Sequence, residues 1–141
     1  MSEVLDLSAQ KRAIAALERA LRVYEALPAS EHSDLHEAVR SGVVQSFEVA
    51  FEVSWKMLRR RLLRDAASRE SVAALSYRDL MREGAARGFI EDPQAWFLFR
   101  EARNVTSHTY DPAKALQVLS VIPHFLSAST RLLEALEAHH A

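Results

Sequence analysis

Apolar residues recur at steps of three and four along most of the chain, which is the spacing of one face of an α-helix. The first stretch predicts a helix from about Leu7 to Leu27, and the second predicts a longer helix from about Leu35 to Ala67. No convincing run of alternating β-branched residues occurs, so the chain is expected to be all-α. The positions expected to be buried in these two helices are Ile14, Leu17, Leu21, Tyr24, Val39, Val43, Phe47, Phe51, Leu58 and Leu62.

A weak linker and a short helix are expected next. The linker covers residues 68–76. Ser76 can cap a short helix over residues 77–87, since its side chain can accept a hydrogen bond from the backbone three residues later. Gly88 is a natural stop for that helix.

Two Asp-Pro pairs predict the starts of the remaining helices. The pair at residues 92 and 93 supplies a capping carboxylate and a proline at the first helical position, and the helix it opens is expected to reach about Ser107. The pair at residues 111 and 112 has the same capping carboxylate and proline, and it predicts the start of a last helix that reaches about Ala138. Pro123 lies inside that helix and is expected to kink it.

Long helices joined by short connections predict an antiparallel four-helix bundle with one short extra helix. The 141 residues fit a single domain, residues 1–141. A net charge of −1 gives no global sign of a nucleic-acid binder, so any anion site must come from local clustering. The absence of cysteine excludes disulfides and thiolate metal sites. With no signal peptide and no membrane-length apolar run, a cytoplasmic protein is expected.

The stretch FREARNVTSHTYDP, residues 99–112, concentrates the polar chemistry of the chain. On a helical wheel five of its polar residues share one face, and Trp96 continues that face one turn earlier. Tyr110 follows the helix, in the turn before the last one. The five residues on the shared face are Arg100, Arg103, Asn104, Ser107 and His108.

These side chains suit an anion site that moves protons. Arginine presents a planar fork of donors that matches a phosphate, and histidine exchanges protons near neutral pH. The wheel places no carboxylate on this face and no second histidine at metal-ligand spacing, which argues against a bound cation. The alternative is an ordinary solvated helix end, in which His108 simply interacts well with the helix dipole.

Three segments resemble the HEPN superfamily, and more narrowly its HepT-like branch, often labelled nucleotidyltransferase substrate-binding proteins. The first is RNVTSHTYD, in which four residues separate Arg103 from His108 and one separates His108 from Tyr110. The second is RSGVVQSFEVAFEVSWKMLRR, residues 40–60, and the third is GFIEDPQAW. The resemblance extends from about residue 35 to residue 115.

The resemblance implies a homodimer in which the two motif helices meet and form one composite cleft. It implies a metal-independent endoribonuclease without a cofactor, which acts as a toxin and leaves 2′,3′-cyclic phosphate ends. His108 would be the general acid or base, Arg103 would hold the phosphate, and Asn104 would position the substrate. A small nucleotidyltransferase antitoxin would silence the toxin by transferring AMP onto Tyr110. The alternative is a non-catalytic nucleotide- or substrate-binding subunit of a nucleotidyltransferase complex.

Several other residues have both a functional and an ordinary interpretation. Arg60 and Arg64, in the basic run KMLRRRLLR, are candidate RNA or partner contacts together with Arg100 and Ser107; a solvated helix face is the alternative. Trp55 and Trp96 could stack on a base, although core or dimer packing is the commoner role. Three further side chains of the second helix could frame the cleft, contact a partner or form plain surface, namely Gln45, Glu48 and Glu52. An exposed ion pair is expected between Glu52 and Lys56.

Overall fold

The computed structural model describes residues 4–28 and 34–138. No β-strand occurs in these two ranges, which confirms the all-α prediction. The helices are α1 (Ser8–Ala26), α2 (Asp34–Asp65), α3 (Arg69–Ala73), α4 (Tyr77–Ala86), α5 (Pro93–Val105) and α6 (Pro112–Ala138), and a 3-10 turn covers Thr106–His108.

Four of these helices, α1, α2, α5 and α6, form the main bundle. Helix α2 packs against the other three, and α6 also contacts α1 and α5. Lys11 and Glu137 form an ion pair at 3.1 Å, which places the start of α1 beside the end of α6. The short helix α4 lies against α5 and α2. In the described part of the chain, no helix combines the length and apolarity that crossing a membrane requires.

An aromatic cluster fills the centre of the bundle. Phe125 of α6 is fully buried, and its ring lies 5.2–6.3 Å from the rings of Phe47, Phe51, Trp96 and Phe99. Most of the predicted core positions in α1 and α2 are buried. The exceptions are Leu21, Tyr24 and Val39, which are half-buried.

Local capping chemistry fixes the helix starts that the sequence predicted. Gly88 has a φ of 83°, a left-handed conformation that glycine adopts without strain, and it follows the end of α4 as expected. Each of the three predicted capping side chains accepts a hydrogen bond from a backbone N–H inside its helix. These bonds join Ser76 to Asp79, Asp92 to Gln94 and Asp111 to Ala113, at 3.1, 2.9 and 3.0 Å.

The predicted linker over residues 68–76 is wrong in part, because it contains α3. Ser68 caps this helix by accepting a hydrogen bond from the backbone N–H of Ser71 at 3.4 Å. Val72 is buried against the core and fixes the short helix in place. The bundle therefore carries two short helices, α3 and α4, where one was expected. Pro123 does lie inside α6, and the kink there stays a prediction.

The end of α2 is tied to the end of α6 by a buried arginine. Arg61 is 4% exposed, and it donates to a carboxylate oxygen of Asp65 at 2.7 Å and to the carbonyl oxygen of Leu136 at 3.3 Å. Arg64 donates to the other carboxylate oxygen of Asp65 at 2.9 Å. Partial burial by itself would raise the pKa of Asp65, but the hydrogen bonds from the two arginines outweigh it and lower that pKa.

Replacing Asp65 by asparagine is expected to lower the free energy of unfolding at neutral pH by about 1 kcal/mol, since Asp65 is partly solvated. A carboxyl with a lowered folded-state pKa stabilises the fold above its unfolded pKa of about 4, and the contribution is lost as the pH falls further. Urea denaturation at pH 7 and about pH 3 should show the gap between wild type and Asp65→Asn narrowing in acid.

Asp79→Asn is the matched control for that experiment. Asp79 pairs with Arg82 at 3.0 Å, but both side chains are mostly exposed, so this variant should change stability by less than about 0.5 kcal/mol. Equal effects of the two substitutions at neutral pH would contradict the role given to Asp65.

Candidate active site at the end of helix α5

Helix α5 ends earlier than predicted, at Val105 instead of Ser107, and continues as a 3-10 turn. The hydroxyl of Thr106 donates to the carbonyl oxygen of Arg103 at 2.7 Å, one turn back. A 3-10 turn advances about 120° per residue instead of 100°. The single predicted polar face therefore does not extend unchanged to Ser107 and His108, which lie on the turn.

The guanidinium group of Arg103 is held by three side chains, two from α2 and one from the 3-10 turn. One terminal nitrogen donates to the Thr106 hydroxyl oxygen at 3.0 Å and pairs with a carboxylate oxygen of Glu48 at 3.1 Å. Its Nε atom lies 3.6 Å from a carboxylate oxygen of Glu52. The side chain is 33% exposed. Contacts from α2 and the 3-10 turn thus fix the direction of the planar fork.

The expectation that no carboxylate belongs to this face is wrong for the assembled site. Glu48 and Glu52 reach it from α2, and Glu101 of α5 lines a cavity beside Arg100 and Asn104. The wheel described one helix, whereas the carboxylates at Arg103 come from another. Of the alternatives for Glu48 and Glu52, framing the site is the one that the structure favours. Glu52 also forms the predicted ion pair with Lys56, at 3.4 Å.

His108 and Tyr110 lie on the surface at the end of this segment. Both side chains are exposed, Tyr110 to 82%. Their rings approach edge to face with centroids 6.2 Å apart. The backbone N–H of Asp111 donates to the carbonyl oxygen of His108 at 3.1 Å, which closes the turn into α6. An imidazole and a phenol are thus presented to solvent side by side, on the segment that directly follows α5.

A cavity of about 240 Å³ opens between α2, α4 and α5, next to Arg103. We call it the α2–α5 cavity, and its lining residues are Phe51, Glu52, Trp55, Tyr77, Arg100, Arg103 and Asn104. The guanidinium carbon of Arg100 lies 4.7 Å from the centre of the Tyr77 ring, a cation–π contact. The Tyr77 hydroxyl donates to the carbonyl oxygen of Trp96 at 2.8 Å, and burial raises the pKa of this phenol.

The remaining candidate residues do not all lie near Arg103. Ser107 is exposed on the 3-10 turn. Arg60 and Arg64 lie about 12 and 18 Å beyond Glu52 along α2, at 1.5 Å per residue, so they are not brought to Arg103. Trp96 is 2% exposed and belongs to the core, whereas Trp55 is half-buried at the α2–α5 cavity.

Two residues of the site were not singled out from the sequence. Thr106 supplies a hydrogen-bond acceptor to Arg103. A threonine three residues after an arginine in a helix was the sequence signal that could have indicated this contact. Tyr77 comes from α4, and no pattern in the sequence around it predicts a contact with α5. Within residues 4–28 and 34–138, no three His, Asp or Glu side chains converge in an arrangement that could hold a metal ion.

The chain belongs to the family described as "nucleotidyltransferase substrate binding protein like", whose sequence profile matches residues 5–138. Within it, the chain is of the HepT-like kind. It is 39% identical over 104 residues to a Haemophilus influenzae protein named "probable ribonuclease HepT", covering 74% of this chain and 71% of that protein.

A solved structure supports the same assignment. A Haemophilus influenzae protein, described as revealing the fold of a substrate binding domain of a nucleotidyltransferase, superposes with a TM-score of 0.84 at 33% identity. The match covers 94% of this chain and 99% of that one. The resemblance to HepT-like nucleotidyltransferase substrate-binding proteins, found in three sequence segments, is therefore confirmed.

Proposed function

We propose that this protein is a metal-independent endoribonuclease of a toxin–antitoxin pair, silenced by AMP transfer onto Tyr110. The observation that carries the proposal is the array at the end of α5. There a positioned guanidinium, an exposed imidazole and an exposed phenol follow one another at Arg103, His108 and Tyr110. The ribonuclease name of the relative with 39% identity supports the same reaction class.

The reaction needs one attack and two proton transfers. The ribose 2′-OH gives up its proton and attacks the adjacent phosphorus, and the bond from phosphorus to the 5′-oxygen breaks. The leaving oxygen takes a proton, so the products are a 2′,3′-cyclic phosphate and a 5′-OH end. His108 serves as general acid or base. Arg103 binds the phosphate and stabilises the negative charge that develops on its oxygens. Asn104, which lines the same cavity as Arg103, positions the strand.

A homodimer would complete the chemistry. One imidazole cannot take the first proton and deliver the second at the same moment, because its protonation state must differ between the two roles. Two copies of the exposed His108, facing each other across a shared cleft, would divide these roles. Arg100 and Ser107 are exposed near the same helix end and would contact the RNA backbone or the partner.

The exposure of Tyr110 supports its modification by a small nucleotidyltransferase antitoxin. The phenol oxygen would attack the α-phosphorus of ATP, a phosphoester bond would form, and pyrophosphate would leave. The added group is anionic and bulky. With His108 6.2 Å away ring to ring, it would block RNA both sterically and by charge repulsion.

A second candidate is a non-catalytic nucleotide- or substrate-binding subunit of a nucleotidyltransferase complex. The observation that favours it is the pairing of Arg103 with Glu48 and Glu52, which offsets part of the positive charge that a phosphate would meet. In this function the guanidinium orients a bound nucleotide, and His108 moves no proton.

End-group analysis separates the two functions. Purified protein is expected to cut RNA in the presence of EDTA, and the fragments should carry 2′,3′-cyclic phosphate and 5′-OH ends. Intact RNA under these conditions, or cutting that EDTA abolishes, would overturn the proposed enzyme. RNA whose 2′-OH is methylated at every position is the matched substrate control and should stay intact.

The regulation has its own test. Co-expression with the partner nucleotidyltransferase should increase the mass of the peptide that contains Tyr110 by one adenylyl group and should suppress RNA cleavage. Tyr110→Phe protein should keep its cleavage activity and gain no mass. Adenylyl groups found only on other peptides would contradict the role given to Tyr110.

A further inference from the structure

We propose that the α2–α5 cavity binds one nucleobase of the RNA strand, stacked on Trp55 and read by Glu52. This inference rests on the proposed function, because it places a subsite for the same RNA beside Arg103. It assigns a role to aromatic and acidic residues that the cleavage chemistry leaves without one.

The position of the cavity links it to the reacting phosphate. Arg103 and Asn104 line it and are also the phosphate-binding and positioning residues of the proposed reaction. A nucleotide whose phosphate lies on Arg103 would therefore have its sugar and base within reach of the cavity. Its volume of about 240 Å³ is below the range of about 300–1,000 Å³ typical of sites for drug-sized ligands, so it suits a single ring system.

The walls of the cavity are aromatic and held in place. Trp55 is half-buried, and its ring meets the Tyr77 ring edge to face at 5.7 Å and 85°. The hydrogen bond from the Tyr77 hydroxyl to the Trp96 carbonyl and the guanidinium of Arg100 over the Tyr77 ring restrict that ring. A fixed, partly open aromatic surface is what stacking on a base requires.

The polar groups at the rim are of the kind that read a base edge. The ionised carboxylate of Glu52 only accepts hydrogen bonds, whereas the amide of Asn104 both donates and accepts. The Nε atom of Arg103 is buried and makes no hydrogen bond to the described residues, with the Glu52 carboxylate 3.6 Å away. A base that carries an amino group would donate to Glu52, and a carbonyl oxygen of that base could satisfy a guanidinium donor.

A second cavity adjoins the first, and the next part of the RNA strand would lie along it. It measures about 180 Å³, shares Tyr77, Arg100 and Asn104 with the first, and is also lined by Arg78. The guanidinium carbon of Arg78 lies 4.5 Å from the centre of the Phe97 ring. Arginines held over aromatic rings beside a base site provide the cationic track that single-stranded nucleic acids follow.

Fluorescence of Trp55 gives a test that is independent of cleavage. The chain has two tryptophans, so Trp96→Phe leaves Trp55 as the only emitter. Short oligodeoxynucleotides lack the 2′-OH and cannot be cut by the proposed reaction. They are expected to quench Trp55 emission saturably, and deoxycytidine strands should bind about tenfold more tightly than deoxyuridine strands, because only cytosine offers an amino donor to Glu52. Glu52→Gln should reduce that difference.

Variants of the otherwise native chain test the same subsite without the Trp96 substitution. By fluorescence anisotropy, Trp55→Ala is expected to weaken binding of the labelled deoxycytidine strand about fivefold to a hundredfold. Trp55→Phe keeps a stacking surface and is the matched control, with affinity within about threefold of wild type. Thermal melting confirms that the variants are folded.

Three results would overturn the inference. They are unchanged affinity in folded Trp55→Ala protein, bound strands that leave Trp55 emission unaltered, and free cytidine monophosphate binding as tightly as the strand. The last would assign the cavity to a free nucleotide. If strands quench Trp55 but the wild type never cuts RNA, the proposed ribonuclease fails and the subsite stands. If RNA is cut and Trp55→Ala protein binds the strand normally, the base subsite fails and the proposed ribonuclease stands.

Discussion

His108→Ala protein is expected to cleave RNA about 10²- to 10⁴-fold more slowly than wild type, which is the usual contribution of a general acid or base. The imidazole is exposed on the 3-10 turn after α5, so its removal opens no cavity in the core. The melting temperature should therefore stay within about 2 °C of wild type, as for other surface substitutions. Initial rates on an end-labelled RNA in EDTA measure the effect.

His124→Ala is the matched control for this experiment. His124 is also an exposed histidine, but it lies on α6, where its ring and the Phe99 ring meet edge to face with centroids 5.3 Å apart. Its removal should leave the rate within about threefold of wild type, because it lies outside the proposed proton path. Wild-type rates in folded His108→Ala protein would refute the assignment of His108 as the general acid or base.

Phe125→Ala is expected to have the largest effect on stability, a loss of about 3–5 kcal/mol. The ring is fully buried among four other aromatic rings, so truncation removes its transfer free energy and leaves a cavity that rigid neighbours cannot close. Because single domains have only about 5–15 kcal/mol of net stability, the melting temperature should fall by about 10–20 °C.

Val23→Ala provides the comparison for Phe125. Val23 is 54% exposed on α1, and alanine there has a high helix propensity, so the free energy of unfolding should change by less than about 0.5 kcal/mol. Urea denaturation followed by circular dichroism measures both variants. A loss of less than about 1.5 kcal/mol in Phe125→Ala would contradict the central place given to that ring.

The parts of the fold that depend on local chemistry could be predicted from the sequence. The starts at Asp92 and Asp111 follow from a side chain that bonds to its own helix, and this information lies within three residues. Helix α3 escaped prediction because five residues with one buried side chain, Val72, leave no periodicity to detect. The early end of α5 depends on the Thr106 hydroxyl, which bonds back to the carbonyl of Arg103.

The environment of Arg103 could not be predicted in the same way. The motif identified the arginine, but its partners Glu48 and Glu52 lie on α2, far away in the sequence. A wheel of α5 cannot include them, since the pairing depends on how two helices pack. For the same reason Tyr77, from α4, appeared at the site only in the folded chain.

In the proposed ribonuclease, the salt links between Arg103 and α2 would make catalytic competence depend on helix registry. If α2 slid by one residue, about 1.5 Å, the carboxylates would pull the guanidinium out of line while every helix stayed intact. The molecule could then retain its full helical content and yet be inert. Far-ultraviolet circular dichroism alone would not detect this state. The orientation of the Arg103 side chain would decide whether the proposed ribonuclease is active.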